Sequence, residues 1–203
     1  MRSGPLAPPT IRVMALTVGE RAVRPLTADE VLRMVKLGIL AEDERVELLH
    51  GVLTAVSPQS EEHAAVLQRL HRWLAPLVVA RAHDVRVQMP LVVPDRTSLP
   101  EPDVAVTRRD DSSLAHPTSA LLVIEVAVSS LRTDTRIKPP LYAGAAVPEL
   151  WVVDVDARRV AVFAEPRDEG GYASESRVGP DGLLHPRALD IAALDLAELF
   201  AGL

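Results

Sequence analysis

The sequence predicts an α/β fold, one mixed β-sheet with helices packed against it. Three observations carry this. Ala120-Leu-Leu-Val-Ile-Glu-Val126 is a near-continuous apolar run, the mark of a strand covered on both faces. Two helices with clear start signals, at Thr27 and Ser60, precede it. Paired β-type runs meet around His50-Gly51 and around Asp156-Ala157. With 203 residues, 48% of them hydrophobic and 25% charged, the chain suits one domain with its own core rather than a disordered or fibrous one. Aromatics contribute only 3%, so Val, Leu, Ile and Ala must fill that core.

Residues 1–25 carry Pro5, Pro8, Pro9 and Pro25 with little periodicity and read as a poorly ordered arm, leaving 26–203 as the single domain. Met14 offers an alternative start, which N-terminal sequencing of the native protein would test. Thr27-Ala-Asp-Glu30 is a capping box. Val31, Leu32, Val35 and the Met34/Leu37 pair form the apolar face of the helix it opens, and Gly38 ends it. Arg45 to Leu49 and Val52 to Val56 make a hairpin. Ser60 caps a second helix, with Glu61 and Glu62 at its positive end. His63, Val66, Leu67, Leu70 and Leu74 share its inward stripe, and Pro76 is expected to kink or end it.

Val85, Val87, Met89, Leu91 and Val93 alternate with polar residues and predict one strand with one buried face. A loop leads to Pro102-Asp103 and a short strand, Val104 to Val106. After the central run, Leu141 to Ala146 reads as helical, and Pro148 to Asp154 as a strand paired with Arg158 to Ala164. Gly170-Gly171 and Gly179-Pro-Asp-Gly182 are turns, and Ala193 to Phe200 a closing helix.

Several function classes are excluded by composition. No run reaches the roughly 20 apolar residues of a membrane span. The opening residues lack the apolar core of a secretion signal. No cysteine is present, which removes disulfides, thiolate metal sites and a Cys nucleophile and makes the cytoplasm the expected location. A net charge of −6 argues against diffuse nucleic-acid binding, so any such contact must be local. No glycine-rich phosphate loop follows any strand, which ranks a small-molecule-binding domain last.

One charge sits badly with its surroundings. Glu125 interrupts the most buried run, and an ionised carboxylate there costs several kcal/mol unless it is paired or holds a metal. A structural ion pair with a core arginine, or a place at the exposed end of the strand, is the alternative. Asp103 opens the preceding strand, and two carboxylates on neighbouring strands supply the hard oxygen ligands Mg2+ prefers. Asp95 also follows a proline, but it opens a polar loop instead of a strand. Lys138 is one of only two lysines, the other being Lys36, in a chain whose remaining basic residues are arginine. An ammonium near a metal can orient water or stabilise charge on a phosphate; alternatively it is a solvated residue at a helix start.

Pro-Asp, a Glu in a buried strand and a following Lys resemble the PD-(D/E)XK nuclease superfamily. More narrowly, Ile-Glu-Val, Asp134, Lys138, Leu-Tyr142, Val147-Pro-Glu and Leu-Trp151-Val-Val-Asp154 resemble the Uma family of putative restriction endonucleases, DUF820-type. Upstream, Glu47-Leu-Leu-His-Gly51, Ser57-Pro and His63 match in order and spacing, and the likeness covers roughly residues 26 to 200.

The resemblance implies a restriction-endonuclease-like core, with Asp103, Glu125 and the backbone carbonyl of Val126 as metal ligands. It also implies a lysine displaced from the strand, where Ala127 stands, to the following helix as Lys138. Glu47 and His63 complete the set, either of them orienting water or phosphate; alternatively Glu47 is a hairpin-edge residue and His63 a satisfied core histidine. Asp134 is expected to cap the helix that presents Lys138. Two departures stand out: Val128-Ser-Ser-Leu131 replaces the usual Ser-Pro-Ser-Thr, and Pro139-Pro140 follow Lys138, which places that lysine at a helix start.

The function expected is a Mg2+-dependent endonuclease, with Mn2+ as substitute ion, acting on DNA. Arg132, Arg136, Arg69, Arg72 and Arg86 are candidates to attract it, and a homodimer would cut both strands. The alternative is a non-catalytic module on the same fold that binds nucleic acid or protein. Spatially, Asp103 and Glu125 are expected to meet at a sheet edge with the ammonium close by.

Overall fold

The computed structural model describes residues 17–18, 21–80, 83–110, 113–168 and 170–203. Most of the expected arm, Met14 included, lies outside them; within it β1 (Thr17–Val18) pairs with β2 (Arg21–Ala22). α1 (Ala28–Lys36) starts on the predicted capping box: Thr27 accepts from the Glu30 N–H, and the Glu30 carboxylate accepts from the Thr27 N–H at 2.9 Å. Leu37, counted in its apolar face, is instead the C-cap and points to solvent, because the chain turns away at Gly38, φ +69°.

β3 (Val46–Leu49) and β4 (Val52–Ala55) form the expected hairpin over His50-Gly51, both with positive φ. α2 (Glu61–Val79) is capped by Ser60 and does not stop at Pro76. Its last turn buries Leu77, and that packing outweighs the one backbone hydrogen bond the proline forgoes. β5 (His83–Val87) ends six residues before Val93, because Gln88 takes φ +50° and leaves the ladder. Leu91 and Val93 are buried all the same, as loop residues whose backbone pairs elsewhere, Leu91 N–H with Pro100 O.

β6 (Val104–Arg108), β7 (Leu122–Ala127), α3 (Lys138–Gly144), β8 (Glu149–Asp154), β9 (Arg159–Pro166) and β10 (Tyr172–Val178) follow. The sheet order is β10-β9-β8-β7-β6-β5, with β7 and β8 parallel and every other pair antiparallel. This is the mixed sheet the sequence predicts, with β7 buried at every residue. β10 has no sequence-based expectation behind it: as an edge strand it buries none of its residues fully, so its pattern is polar. The closing helix is shorter than expected. β11 (Leu183–Leu184) pairs with β12 (Leu194–Asp195), and the Asp195 side chain then caps α4 (Leu196–Leu199).

One sheet face packs Val104, Ile124 and Trp151 against Val66, Leu70 and Leu74 of α2 and the C-terminal segment. The other packs Val123, Leu150 and Val152 against Leu141 and Tyr142 of α3. Glu125, in step with Val123 and Ala127, therefore points to the α3 side. The crossover that a parallel pair needs is supplied by α3 and the π-turn before it, Thr133–Ile137, where the Lys138 N–H bonds to Thr133 O. Lys138 does open α3, but it continues a helical path (φ −74°, ψ −34°) instead of following an extended cap. The wider turn answers to Pro139 and Pro140, which have no N–H and crowd the carbonyl four residues back.

Gly51 sets the hairpin that carries Glu47: its φ is +82° and an added Cβ would lie 2.2 Å from the Pro25 Cβ. Gly38 has positive φ and open space. Gly51→Ala should therefore cost about 2–4 kcal/mol, and Gly38→Ala about 1 kcal/mol; urea denaturation of the two variants checks the difference.

Candidate functional site

The β6–β7 register pairs Val104 with Ile124, so Asp103 and Glu125 stand opposite each other one step further on. They meet where β6 begins, at the strand ends and not on an edge strand, since β6 and β7 are both interior. A cleft of about 480 Å3 opens there, lined among others by Glu47, His63, Gln88, Glu101, Asp134 and Lys138.

The catalytic and metal-ligand candidates from the sequence, Asp103, Glu125, Val126, Lys138, Glu47 and His63, all line it, whereas none of the arginines expected to attract DNA does, and Arg69 and Arg72 line a separate pocket beside α4. The Asp103 carboxylate accepts three donors: His63 Nε2 at 3.0 Å and Gln88 Nε2 at 3.2 Å on Oδ1, and the Val126 N–H at 2.8 Å on Oδ2. His63 reaches it from the first turn of α2, positioned by the Ser60 cap, whose hydroxyl accepts the His63 N–H. Burial would raise the Asp103 pKa, but the His63 imidazole, the Val126 amide and Gln88 together hold it below the usual aspartate value.

Glu125 is 2% exposed. Its Oε1 accepts from Lys138 Nζ at 3.1 Å and the Tyr142 hydroxyl at 2.5 Å, while Oε2 receives the Asp103 N–H at 3.4 Å. Burial pushes its pKa well above the usual range; Lys138 opposes this, and the charges of Asp134, Asp103 and Glu47 add to it. Lys138 sits between carboxylates, 3.0 Å from Glu47 Oε1 and 3.4 Å from Asp134 Oδ1, and these neighbours more than offset burial and keep it protonated. Glu47 is thus a buried ion-pair partner, also accepting the Glu101 N–H at 2.8 Å, and no hairpin-edge residue.

Asp134 does not cap a helix. It lies inside the π-turn, 2% exposed, accepting from the Ser130 hydroxyl, and burial raises its pKa. The Glu101 carboxyl is raised as well, by burial and then by Glu47. Glu42, Asp43, Glu44, Glu47, Glu101, Asp103, Glu125 and Asp134 thus line a cleft with only Arg45 and Lys138 as fixed cations, an excess of negative charge that a divalent cation would offset. Among the described residues no three His, Asp or Glu side chains form a ready-made cage. Mg2+ usually needs only one or two carboxylates and keeps water in its other positions, so Asp103 and Glu125 fit it.

Gln88, Glu101 and the hydroxyl role of Tyr142 were not singled out from the sequence. Tyr142 stands four residues after Lys138, helical spacing that could have flagged it. Glu101 stands two residues before Asp103, and Gln88 carried no signal beyond being a polar member of the alternating run.

The Uma2 family, described as "Putative restriction endonuclease", matches residues 28–197. Among solved structures, a putative nuclease belonging to DUF820 from Anabaena variabilis ATCC 29413 aligns with a TM-score of 0.63 and 18% identity, covering 87% of this chain and 98% of that one. The type IIG restriction endonuclease BpuSI aligns with a TM-score of 0.39 and 12% identity over 60% of this chain and 14% of that one, and nothing is rested on it. No curated protein matches the chain. The sheet and its flanking helices are a restriction-endonuclease-like fold. A family match that runs from the first residue of α1 into α4, and takes in every side chain of the cleft, has one meaning: this chain belongs to the Uma2 family.

Proposed function

We propose that the protein is a metal-dependent endonuclease that hydrolyses phosphodiester bonds in DNA. One observation carries the reading: Asp103 and Glu125 stand side by side at the strand ends, with the Lys138 ammonium 3.1 Å from Glu125. Asp103, Glu125 and the Val126 carbonyl would hold Mg2+, with Mn2+ as a substitute. When bound, the ion supplies Lewis acidity toward a phosphate oxygen and makes water a better nucleophile.

The chain's own groups do the rest. Glu125 uses Oε1 for Lys138 and Tyr142, which leaves Oε2 turned toward Asp103 and available as a ligand. His63 and Gln88 hold Asp103 ionised and oriented. Lys138, fixed by Glu47 and Asp134, presents positive charge where negative charge grows on the phosphate as water attacks phosphorus and the bond to the leaving oxygen breaks. Arg132 and Arg136, exposed on the helical path beside the cleft-lining Thr133, and Arg45 on its wall would receive the backbone phosphates. Among the described residues no helix is long and apolar enough to cross a membrane.

Titrating Mg2+ and Mn2+ against the pure protein on single- and double-stranded DNA tests the reading. Asp103→Asn and Glu125→Gln should each lower kcat by at least about 100-fold, with circular dichroism unchanged. Full metal-dependent cutting by either would remove it from the site. Wild-type protein that binds DNA as Glu125→Gln does, and never cuts, would favour the non-catalytic module.

Lys138→Met leaves buried carboxylates without their cation and should destabilise by about 3–5 kcal/mol in urea. Adding Glu47→Gln to that variant should recover part of the loss. Cutting both strands of a duplex also calls for two active centres, so sedimentation should give the mass of a homodimer.

A further inference from the structure

We propose that Gln88 is a positioning residue for the site: its side-chain amide fixes the plane of the Asp103 carboxylate, and the turn that ends β5 clamps its backbone to the segment that carries Asp103. The proposal rests on the reading of Asp103 as a functional carboxylate.

Two independent features of Gln88 support it. Its backbone adopts φ +50°, a region unfavourable to a residue with a long side chain. Of the described non-glycine residues with positive φ, Gln88 is the one that lines the cleft. The Gln88 N–H is shared between Pro102 O and Asp103 O, both at 3.2 Å, so the turn is pinned to the segment that carries Asp103. The side chain then reaches Asp103 Oδ1, also at 3.2 Å. The β5–β6 register pairs Val87 with Val104 and so already sets residue 88 opposite Asp103; the turn adds the shared N–H bond that clamps the Gln88 backbone to that segment.

The geometry around Asp103 gives the amide a specific task. Oδ1 takes His63 from α2 and Gln88 from the end of β5, while Oδ2 takes the Val126 N–H from β7. Three donors from three elements leave the carboxylate no freedom to rotate. Remove the amide, and Oδ1 keeps one donor, so the plane can swing and the hold on the Val126 N–H loosens. Glycine suits positive φ without strain, and asparagine suits it better than glutamine. Glycine has no amide, and asparagine is one methylene short. A residue that fits the backbone poorly but has the reach is what strain at a functional site looks like.

Gln88→Gly and Gln88→Asn test this without relying on cleavage alone. In metal-free protein, amide exchange at Val126 should quicken about 10-fold in both variants, while Val123 and Ile124 exchange as in wild type and the thermal midpoint does not fall. Mn2+ affinity by calorimetry should drop about 10-fold, and kcat should fall with KM for DNA nearly unchanged. Unchanged Val126 exchange overturns the proposal, and so does a uniform rise along β7, which would mean a merely structural role. If wild-type protein takes up no Mn2+, the metal reading fails, while Val126 exchange still decides the role of Gln88.

Discussion

The buried ammonium of Lys138 holds the site together. It lies among Glu47 from the β3–β4 hairpin, Glu125 from the central strand and Asp134 from the π-turn, and so ties the distant hairpin to the strand and turn that precede it. Each of those carboxylates would be too costly to bury without a cation, and the cation too costly to bury without them. Charge balance therefore constrains the fold as much as apolar packing does. The hairpin must close against the sheet, and the crossover helix must begin where its first residue meets Glu125.

The balance is incomplete, and that is informative. Glu125, Asp134 and Glu101 all bind protons more tightly than free carboxyls do, because burial and mutual repulsion exceed what one lysine neutralises. Asp103 behaves oppositely because hydrogen bonds from His63, Val126 and Gln88 favour its ionised form. Neighbouring carboxylates with opposite tendencies are a common arrangement where acid–base or metal chemistry is carried out. A core selected for stability alone would replace such a cluster with hydrocarbon.

Much of this was legible in the sequence because it rests on local incongruity. Glu125 stands out as a charge inside an apolar run, and Lys138 as a rare lysine among arginines. The capping signals at Thr27 and Ser60 and the His50-Gly51 turn are short-range chemistry, and short-range chemistry places α1, α2 and the hairpin. What escaped depends on tertiary context. Alternation through Leu91 and Val93 is real, yet Gln88 leaves the strand, and those side chains are buried from a loop. Leu77 carries α2 past Pro76. β10 lies on the rim of the sheet and has no apolar face to display. Asp134 looked like a cap because capping depends on local spacing, whereas its partners depend on how the turn around it is wound.

That winding has a consequence for how the chain can change. Residues four apart on a regular α-helix drift about 40° around the axis, so positions 134, 138 and 142 would fan out over about 80°. A turn closed by a bond five residues back drifts the other way, and it brings Asp134 back to the side on which Lys138 and Tyr142 meet Glu125. Loss of a single amino acid between 133 and 137 would close the turn to α-helical pitch and press Pro139 and Pro140 against the carbonyls four residues back. It would also set Asp134 three residues before Lys138 and about 60° off its column, while Lys138 and Tyr142 kept their hold on the strand below. One extra residue, invisible to any measure of helix propensity, sets the phase of the whole constellation.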